Sequence, residues 1–257
     1  MLSGRRMNGC NRAPKESLMH PATDLVFSNS FSPRIRVRRL GVCSFDDSLA
    51  LQERAARSVR AGGEDELLYV EHPAVITLGR GTTPDQVLTS RRQLAAAGIS
   101  VIETNRGGGA TFHGPGQIVG YPIVSLQRRG IGVRSYLQGL ETALIEALKS
   151  VGVTAFTRQG LTGVWTEFGK LVAIGIAVQQ GITRHGFALN VKTDLEPFSN
   201  IVACGLHDPV TSLQKMKWDG DVAEFTRRFA AELESFLGQV SVPTSRAIAF
   251  ARHKVRA

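Results

Sequence analysis

The segment from Arg106 to Gln117 contains five glycines in twelve residues and lies between two apolar, strand-like stretches. Glycine allows a backbone N–H group or a ligand to approach without interference from a side chain. A wide hairpin or a surface loop would account for the glycines alone, but His113 and the polar residues at both ends add more chemistry than a turn needs. The segment has neither the helix-opening Gly-x-Gly-x-x-Gly pattern nor the Gly-Lys-Ser/Thr ending of a P-loop. It therefore fits either a loop or a binding site of another kind.

The composition is that of a globular chain, with 257 residues of which 42% are hydrophobic and 21% are charged. Residues 1–33 are polar and lack a sustained period, so we predict a disordered N-terminal extension. A single domain is predicted over residues 34–240, followed by a C-terminal tail over residues 241–257. The longest apolar run, Leu171–Val178, is far shorter than the roughly 20 residues of a membrane-spanning helix, so we predict no membrane contact.

Lysine and arginine exceed aspartate and glutamate by 31 − 22 = 9 charges. Residues 1–39 contain eight basic and two acidic residues, so 8 − 2 = 6 of these charges lie there. A basic balance is compatible with nucleic acid, with acidic protein partners or with solubility alone. Aromatic residues are not interleaved with basic ones in the central region, and we therefore predict no nucleic-acid binding.

Short strand-like and helical patterns alternate from residue 34 onwards. Strands are predicted at residues 67–70, 75–78, 99–104, 118–126, 153–157, 164–166, 171–178 and 187–191. Helices are predicted from an N-cap at Asp46, Asp47 or Ser48 to Gly62, and at residues 90–97, 133–151 and 222–237. The series lacks a regular strand–helix–strand order, which predicts an α+β fold, a mixed β-sheet flanked by helices.

Cys10, Cys43 and Cys204 lie far apart and form neither a CxxC motif nor a metal-ligand spacing. This argues against a disulfide framework and against a metal site. A reducing compartment follows, so we predict a cytoplasmic protein, or a mitochondrial one if the arginine-biased extension is a transit peptide. Cys204 lies between Ala203 and Gly205, where it fits either a small buried side chain or a nucleophile.

Lys170 follows a turn and leads into the most apolar strand of the chain, so it fits either a solvated turn lysine or a functional cation. A free thiol with a pKa near 8.5 is about 3% thiolate at pH 7, and an ammonium that lowers this pKa by two units gives roughly 75%. The small residues within 173–175 and 186–188 fit either a ligand-binding wall or tight strand packing. His185 and His207 are interpreted as surface imidazoles.

Four stretches together resemble the sequence pattern of the lipoyl(octanoyl) transferases. They are Arg106–Gln117, Gly169–Gly175, His185–Val191 and Cys204-Gly205, which occur in the order and at about the spacing of that family. The stretch Val70-Glu71-His72-Pro73 is also similar. The resemblance extends from about residue 35 to residue 240, which is nearly all of the predicted domain.

The resemblance implies an enzyme that moves an octanoyl group from octanoyl-acyl carrier protein to a lysine of a lipoyl domain. The acceptors implied are the lipoyl domains of 2-oxoacid dehydrogenase E2 subunits and the glycine cleavage H protein. No cofactor and no metal are implied. The fold implied is that of the biotin and lipoate protein ligases, which agrees with the α+β prediction.

By the same resemblance, Cys204 matches the nucleophile that carries the acyl group, and Lys170 matches the residue that lowers the pKa of its thiol. The residues implied for substrate binding are Arg106, Gly107, Gly108, Gly109, Ala110, Thr111, Phe112, His113, Ala173, Ile174, Gly175, Gly186, Phe187 and Ala188. We hypothesise in addition that His113 and backbone N–H groups of the glycine-rich segment polarise the thioester oxygen.

Two alternatives remain at this point. An ATP-dependent lipoate or biotin ligase would share the fold, but it would not need a nucleophilic cysteine such as Cys204. A non-catalytic acyl-binding or scaffold protein would retain the fold without any reaction.

Overall fold

The computed structural model describes residues 35–202 and 209–239. The predicted N-terminal extension and C-terminal tail, together with Cys204 and His207, lie outside the described residues. The strands of the described part are β1 (Ile35–Val42), β2 (Asp65–Glu71), β3 (Val75–Leu78), β4 (Ser100–Glu103), β5 (Ala110–His113), β6 (Gln117–Ile123), β7 (Phe156–Arg158), β8 (Leu161–Thr166), β9 (Gly169–Gln179) and β10 (Ile182–Asn190). The helices are α1 (Phe45–Arg60), α2 (Arg91–Ala96), α3 (Leu126–Arg129), α4 (Val133–Ser150) and α5 (Val222–Gln239). None of these five helices combines the length and the hydropathy that a membrane crossing requires.

The strands form two sheets. The main sheet has seven strands in the order β1-β2-β6-β10-β9-β8-β7, and a smaller sheet has the order β4-β3-β5. β1 and β2 are parallel, as are β3 and β4, whereas the other neighbours are antiparallel. The main sheet is mixed and flanked by helices, which confirms the predicted α+β class.

Helices cover the main sheet on both faces. All seven residues of β2 are buried. Leu67 and Tyr69 pack in the core that contains α4 and α5, while Leu68 and Val70 pack in the core that contains α1. A strand covered on both sides is a continuous apolar run rather than an alternating one. This is why the middle of β2, residues 67–70, is an uninterrupted apolar run in the sequence.

Two helix starts differ from the sequence prediction. Ser44 is the N-cap of α1, because its hydroxyl accepts the N–H of Asp47 at 3.1 Å, so Asp46 and Asp47 lie in the first turn. Acidic side chains are favourable there because they face the positive end of the helix dipole. Ser125 caps the short helix α3, which the periodicity did not indicate and which ends β6 at Ile123 rather than at residue 126.

Several strands also differ from the prediction, since β10 begins at Ile182 and β8 at Leu161, five and three residues earlier than expected. Residues 153–157 were predicted as one strand, but β7 begins only at Phe156, since Val153 is buried in the main core just after the turn that ends α4. β1 was not predicted. β5 lies inside the glycine-rich segment, so this segment is not only a loop.

A buried ion pair joins β2 to α3. The Asp65 side chain is inaccessible to solvent, and one carboxylate oxygen accepts Arg129 Nε at 2.8 Å and also pairs with Nη2 of that arginine. The other oxygen accepts Arg128 Nη2 at 2.5 Å and the Ser125 N–H at 3.1 Å. A buried carboxylate is tolerated only when its lone pairs are satisfied in this way.

We expect Asp65→Ala to lower the free energy of unfolding by about 3–5 kcal/mol, because it leaves the buried Arg129 guanidinium without its carboxylate. Glu103→Ala is the matched control, since it breaks the exposed ion pair with Arg91 and should cost less than about 1 kcal/mol. Urea denaturation of both variants measures the difference. Equal losses for the two variants would contradict this account.

Candidate active site

The glycine-rich segment joins the two sheets. Its middle residues, Ala110–His113, pair antiparallel with β3 in the small sheet. Its first half reaches the main sheet, where the N–H of Gly107 donates to the carbonyl oxygen of Ile176 on β9 at 2.8 Å. An ideal Cβ on Gly175 would lie only 3.0 Å from the Gly107 oxygen, so glycine at this position favours the close approach. The segment therefore connects the two sheets, in addition to turning the chain.

A partly open cavity lies where the sheets meet, and the empty space between its walls, open solvent included, is about 440 Å³. Its walls come from α1, the glycine-rich segment and the strands β5, β6, β9 and β10. Ten of the residues implied by the resemblance line it, namely Arg106, Gly108, Thr111, His113, Ala173, Ile174, Gly175, Gly186, Phe187 and Ala188, together with Phe45, Val119, Tyr121 and His185.

The other residues implied for substrate binding lie beside the cavity rather than on its wall: Gly107, Gly109, Ala110 and Phe112. Side chains alternate between the two faces of a strand. Thr111 and His113 therefore face the cavity from β5, whereas Ala110 and Phe112 pack in the core of the small sheet. This alternation follows from the formation of β5, which the loop interpretation did not include.

Arg106 places a fixed positive charge on the cavity wall. Its side chain is buried, with Nη2 donating to the carbonyl oxygen of Thr77 at 2.6 Å and to its hydroxyl at 2.9 Å. Nε donates to the same hydroxyl at 3.3 Å, and Nη1 donates to the carbonyl oxygen of Gly107 at 3.0 Å. A guanidinium fixed in this way can stabilise negative charge that develops on a carbonyl oxygen in the cavity.

Three buried histidines surround the ring of Phe45, with centroid distances of 5.4 Å for His72, 6.1 Å for His113 and 6.5 Å for His185. Burial lowers the pKa of His72 to about 4, of His113 to about 3 and of His185 to about 4, and the Arg106 charge adds to the effect on the last two. All three imidazoles are therefore uncharged at neutral pH. The interpretation of His185 as a surface imidazole is wrong, since only 3% of the residue is exposed.

Sequence reasoning missed the other wall residues. His72 Nδ1 lies 2.7 Å from the carbonyl oxygen of Cys43, which can only accept, so Nδ1 donates to it. Nε2 then accepts a hydrogen bond from the hydroxyl of Tyr121 at 2.7 Å, and this bond holds the phenol at the cavity. For His72 and Tyr121, the sequence offered one signal, which was the similarity of the stretch around His72 to the family pattern. Phe45 gave no signal, because it is the first residue of α1 and precedes the predicted cap.

Lys170 is buried at the start of β9, which excludes the solvated turn lysine. Its Nζ donates to the carbonyl oxygen of Thr162 at 3.2 Å and lies 4.8 Å from the centroid of the Trp165 ring. The side chain crosses Gly163, whose cross-strand partner is Ala173 on the cavity wall. Because cross-strand partners share a face of the sheet, Lys170 lies on the face that carries the cavity.

The chain that follows the segment of Cys204 is bound directly to Lys170. The N–H of Lys170 donates to the carbonyl oxygen of Pro209 at 2.8 Å, and the N–H of Thr211 donates to the carbonyl oxygen of Lys170 at 3.0 Å. A Cβ on Gly169 would overlap the Pro209 oxygen, so this contact also depends on glycine. The described structure thus resumes beside the predicted lysine, five residues after the predicted nucleophile.

We expect Gly163→Ala to displace the Lys170 side chain, because an ideal Cβ would lie 2.7 Å from Lys170 Cε and 2.8 Å from the Val172 oxygen. Gly160→Ala is the matched control, since that residue also has a positive φ but nothing within 4 Å of the added carbon. Both variants strain the backbone, but only the first overpacks, so it should be about 1–3 kcal/mol less stable than the control. Urea denaturation measures this difference, and equal stabilities would show that Lys170 does not fill this space.

Residues 44–234 match the family of lipoyl protein ligase A/B catalytic domains, which is more than half of the chain. The chain therefore belongs to this family. An octanoyltransferase of Geobacter metallireducens is 48% identical over 179 residues, which are 69% of this chain and 81% of the relative. An octanoyltransferase of Geotalea uraniireducens is 43% identical over 203 residues, 78% of this chain and 92% of the relative. These relatives confirm the resemblance to the octanoyltransferases, and with it an acyltransferase.

Solved structures agree on the fold. A bi-partite lipoate protein ligase from Thermoplasma acidophilum superimposes with a TM-score of 0.64 at 18% identity, over 87% of this chain and 91% of that chain. A lipoate-protein ligase A bound with ATP gives a TM-score of 0.63, also at 18% identity, over 86% of this chain and 93% of that chain. At this level of identity the likeness concerns the fold alone, and it confirms the predicted ligase-like architecture.

Proposed function

We propose that the chain transfers an octanoyl group from octanoyl-acyl carrier protein to a lysine of a lipoyl domain, with Cys204 as the covalent carrier. The observation that supports this best is the position of Lys170. Its buried side chain lies on the cavity face of the sheet, and its backbone binds the chain that follows Cys204. A buried cation on the sheet face that carries a cavity is an arrangement that suits a cysteine nucleophile.

In the first step, the Cys204 thiolate attacks the carbonyl carbon of the donor thioester. A carbon–sulfur bond to the enzyme forms, the bond to the donor sulfur breaks, and the carrier leaves as a thiolate. One thioester replaces another, so the exchange is nearly isoenergetic and needs no ATP. The ammonium of Lys170 stabilises the thiolate form of Cys204, which is the nucleophile.

The cavity binds the acyl chain and positions its carbonyl. About seven carbons beyond the carbonyl contribute roughly 0.8 kcal/mol each, or some 5–6 kcal/mol of gross apolar burial. Ala173 on β9 and its cross-strand partner Ala188 on β10 present only methyl groups to the cavity, which leaves room for such a chain beside them. Binding energy from the remote chain can thereby orient the reacting centre.

In the second step, the neutral amine of the acceptor lysine attacks the enzyme thioester. An amide bond forms, the bond to Cys204 breaks, and the proton that the amine loses is taken up by the departing thiolate or by water. We propose the lipoyl domains of 2-oxoacid dehydrogenase E2 subunits and the glycine cleavage H protein as acceptors. We place the reaction in the cytoplasm, where the reducing environment keeps the thiol of Cys204 free.

Incubation of the full chain with octanoyl-acyl carrier protein should add one octanoyl group to the intact mass. The thioester requires the sulfur of Cys204, so Cys204→Ser should show no thiol-labile adduct, and Cys43→Ser is the matched control that should retain it. An adduct of equal yield on Cys204→Ser would contradict the covalent route.

The same reaction, carried on to a lipoyl domain, separates the transferase from the ATP-dependent ligase that shares its fold. Transfer should proceed fully without ATP, because the donor is already a thioester. Transfer that occurs only with ATP and free octanoate would establish the ligase instead. An acyl-protein that never passes its group to a lipoyl domain would indicate the non-catalytic acyl-binding protein.

Removal of the buried ammonium should make the Cys204 thiol less acidic. We expect Lys170→Met to move the midpoint of iodoacetamide alkylation of Cys204 upward by about 1–2 pH units, since an adjacent cation favours the thiolate. Lys149→Met is the control, because that lysine is exposed at the last turn of α4. A midpoint that is the same for Lys170→Met and for the wild-type chain would remove Lys170 from the mechanism.

A further inference from the structure

A continuous row of hydrogen-bonded side chains crosses the protein from the cavity wall to the segment beside β9. Its members are Arg106, Thr77, His113, Gln117 and Asn190, and it ends at the carbonyl oxygen of Thr211. All six residues are buried. A buried row of polar groups is stable only when each donor meets an acceptor, so its direction can be worked out from groups that have a single role.

Two backbone carbonyls, which can only accept, fix the two amides. Asn190 lies 3.0 Å from the carbonyl oxygen of Thr211, so its Nδ2 must point there and its Oδ1 toward Gln117. Gln117 lies 3.3 Å from the carbonyl oxygen of Phe112 and 2.8 Å from Asn190 Oδ1, so both of these contacts require its Nε2. The Oε1 of Gln117 therefore faces the remaining neighbour.

That neighbour is Nδ1 of His113, at 2.8 Å. An amide oxygen only accepts, so Nδ1 carries the proton, and the Nε2 of the uncharged imidazole carries none. The hydroxyl of Thr77 lies 3.4 Å from Nε2, and its oxygen already accepts from Arg106, so its proton is available to point at Nε2. Each contact in the row then has one donor and one acceptor.

We propose that Gln117 and Asn190 are positioning residues of this enzyme, which hold His113 as the Nδ1–H tautomer with Nε2 as a hydrogen-bond acceptor. His113 then cannot donate a hydrogen bond from Nε2 to the thioester oxygen, contrary to the hypothesis from the sequence. That role falls to Arg106 and to the backbone N–H groups of the glycine-rich segment. The charged and titratable groups that face His113 are Arg106, His72 and His185.

Asn190 has a second task at the other end of the row. Its Nδ2 holds the carbonyl oxygen of Thr211, and the N–H of Thr211 holds the carbonyl oxygen of Lys170. The N–H of Leu213 also donates to the backbone oxygen of Asn190, at 3.0 Å. Asn190 thus links the tautomer of the cavity histidine to the backbone position of Lys170, and this consequence rests on the proposed function.

The tautomer can be measured on the wild-type chain. Two-bond ¹H–¹⁵N spectra of the ¹⁵N-histidine-labelled protein at pH 7 should show the Nδ1–H pattern for His113, assigned by its loss in His113→Asn. An Nε2–H pattern or an imidazolium pattern in the wild-type chain would overturn the proposal without any variant of the row.

Two variants separate the two ends of the row. Gln117→Leu removes the acceptor of Nδ1–H, so the pattern of His113 should change to a mixture of tautomers. Asn190→Leu cannot donate to Thr211, while the carbonyl oxygen of Phe112 still holds Nε2 of Gln117, so the pattern should remain while kcat of octanoyl transfer falls at least about tenfold with KM within about threefold. Retention of the wild-type kcat in Asn190→Leu, or of the wild-type pattern in Gln117→Leu, would overturn the corresponding half of the proposal.

Asp65→Asn serves as the control for general destabilisation, because it weakens the remote ion pair with Arg129 and leaves the row intact. It should leave both the His113 pattern and kcat close to those of the wild-type chain. The proposed function and the proposed tautomer of His113 can be refuted independently of each other. A wild-type chain that transfers no octanoyl group overturns the proposed function, whereas the NMR pattern tests the tautomer in the absence of any activity.

Discussion

The contact between Gly107 and β9 determines where the candidate active site lies. The hydrogen bond from Gly107 to Ile176 brings the small sheet against the main sheet at a point where Gly175 leaves no side chain in the way. The cavity is the space that remains next to this contact. An ideal Cβ on Gly175 would lie 3.0 Å from the Gly107 oxygen and 3.1 Å from Arg106 Cδ, so a side chain at Gly175 would force the two sheets to adjust at this contact.

Strand β9 carries both the cavity wall and the lysine because its pairing with β8 is irregular. Val172 pairs with Val164, but Lys170 pairs with Trp165, so Leu171 is an extra residue. Side chains alternate between the two faces of a strand, so one extra residue reverses the face on which Lys170 lies. Lys170 therefore shares the face of Ala173, and its apolar neighbours remain in the core below α4 and α5.

The interior of the site is polar, and its groups are uncharged except for arginine and lysine. Burial keeps the pKa of His113 at about 3, so the imidazole serves as a neutral hydrogen-bonding group next to the Arg106 guanidinium. Neutral histidines avoid the cost of placing further positive charge beside Arg106. In the proposed reaction, the positive charges of Arg106 and Lys170 act on the thiolate and on the acyl oxygen, the groups on which negative charge develops.

The sequence by itself determined the α+β class, the long helix α4, the glycine-rich segment and the pair of residues, Lys170 and Cys204, on which the chemistry is proposed to depend. The first three follow from composition and local periodicity, which are properties of neighbouring residues. The roles of Lys170 and Cys204 are implied by the resemblance to a known family and not by the pattern alone. Only the tertiary structure decided that His113 faces the cavity while Phe112 faces away, that His185 is buried, and that Asn190 meets Gln117 across 73 residues of chain. Such contacts depend on strand pairing and register, and because residues far apart in the chain make them, no local pattern encodes them.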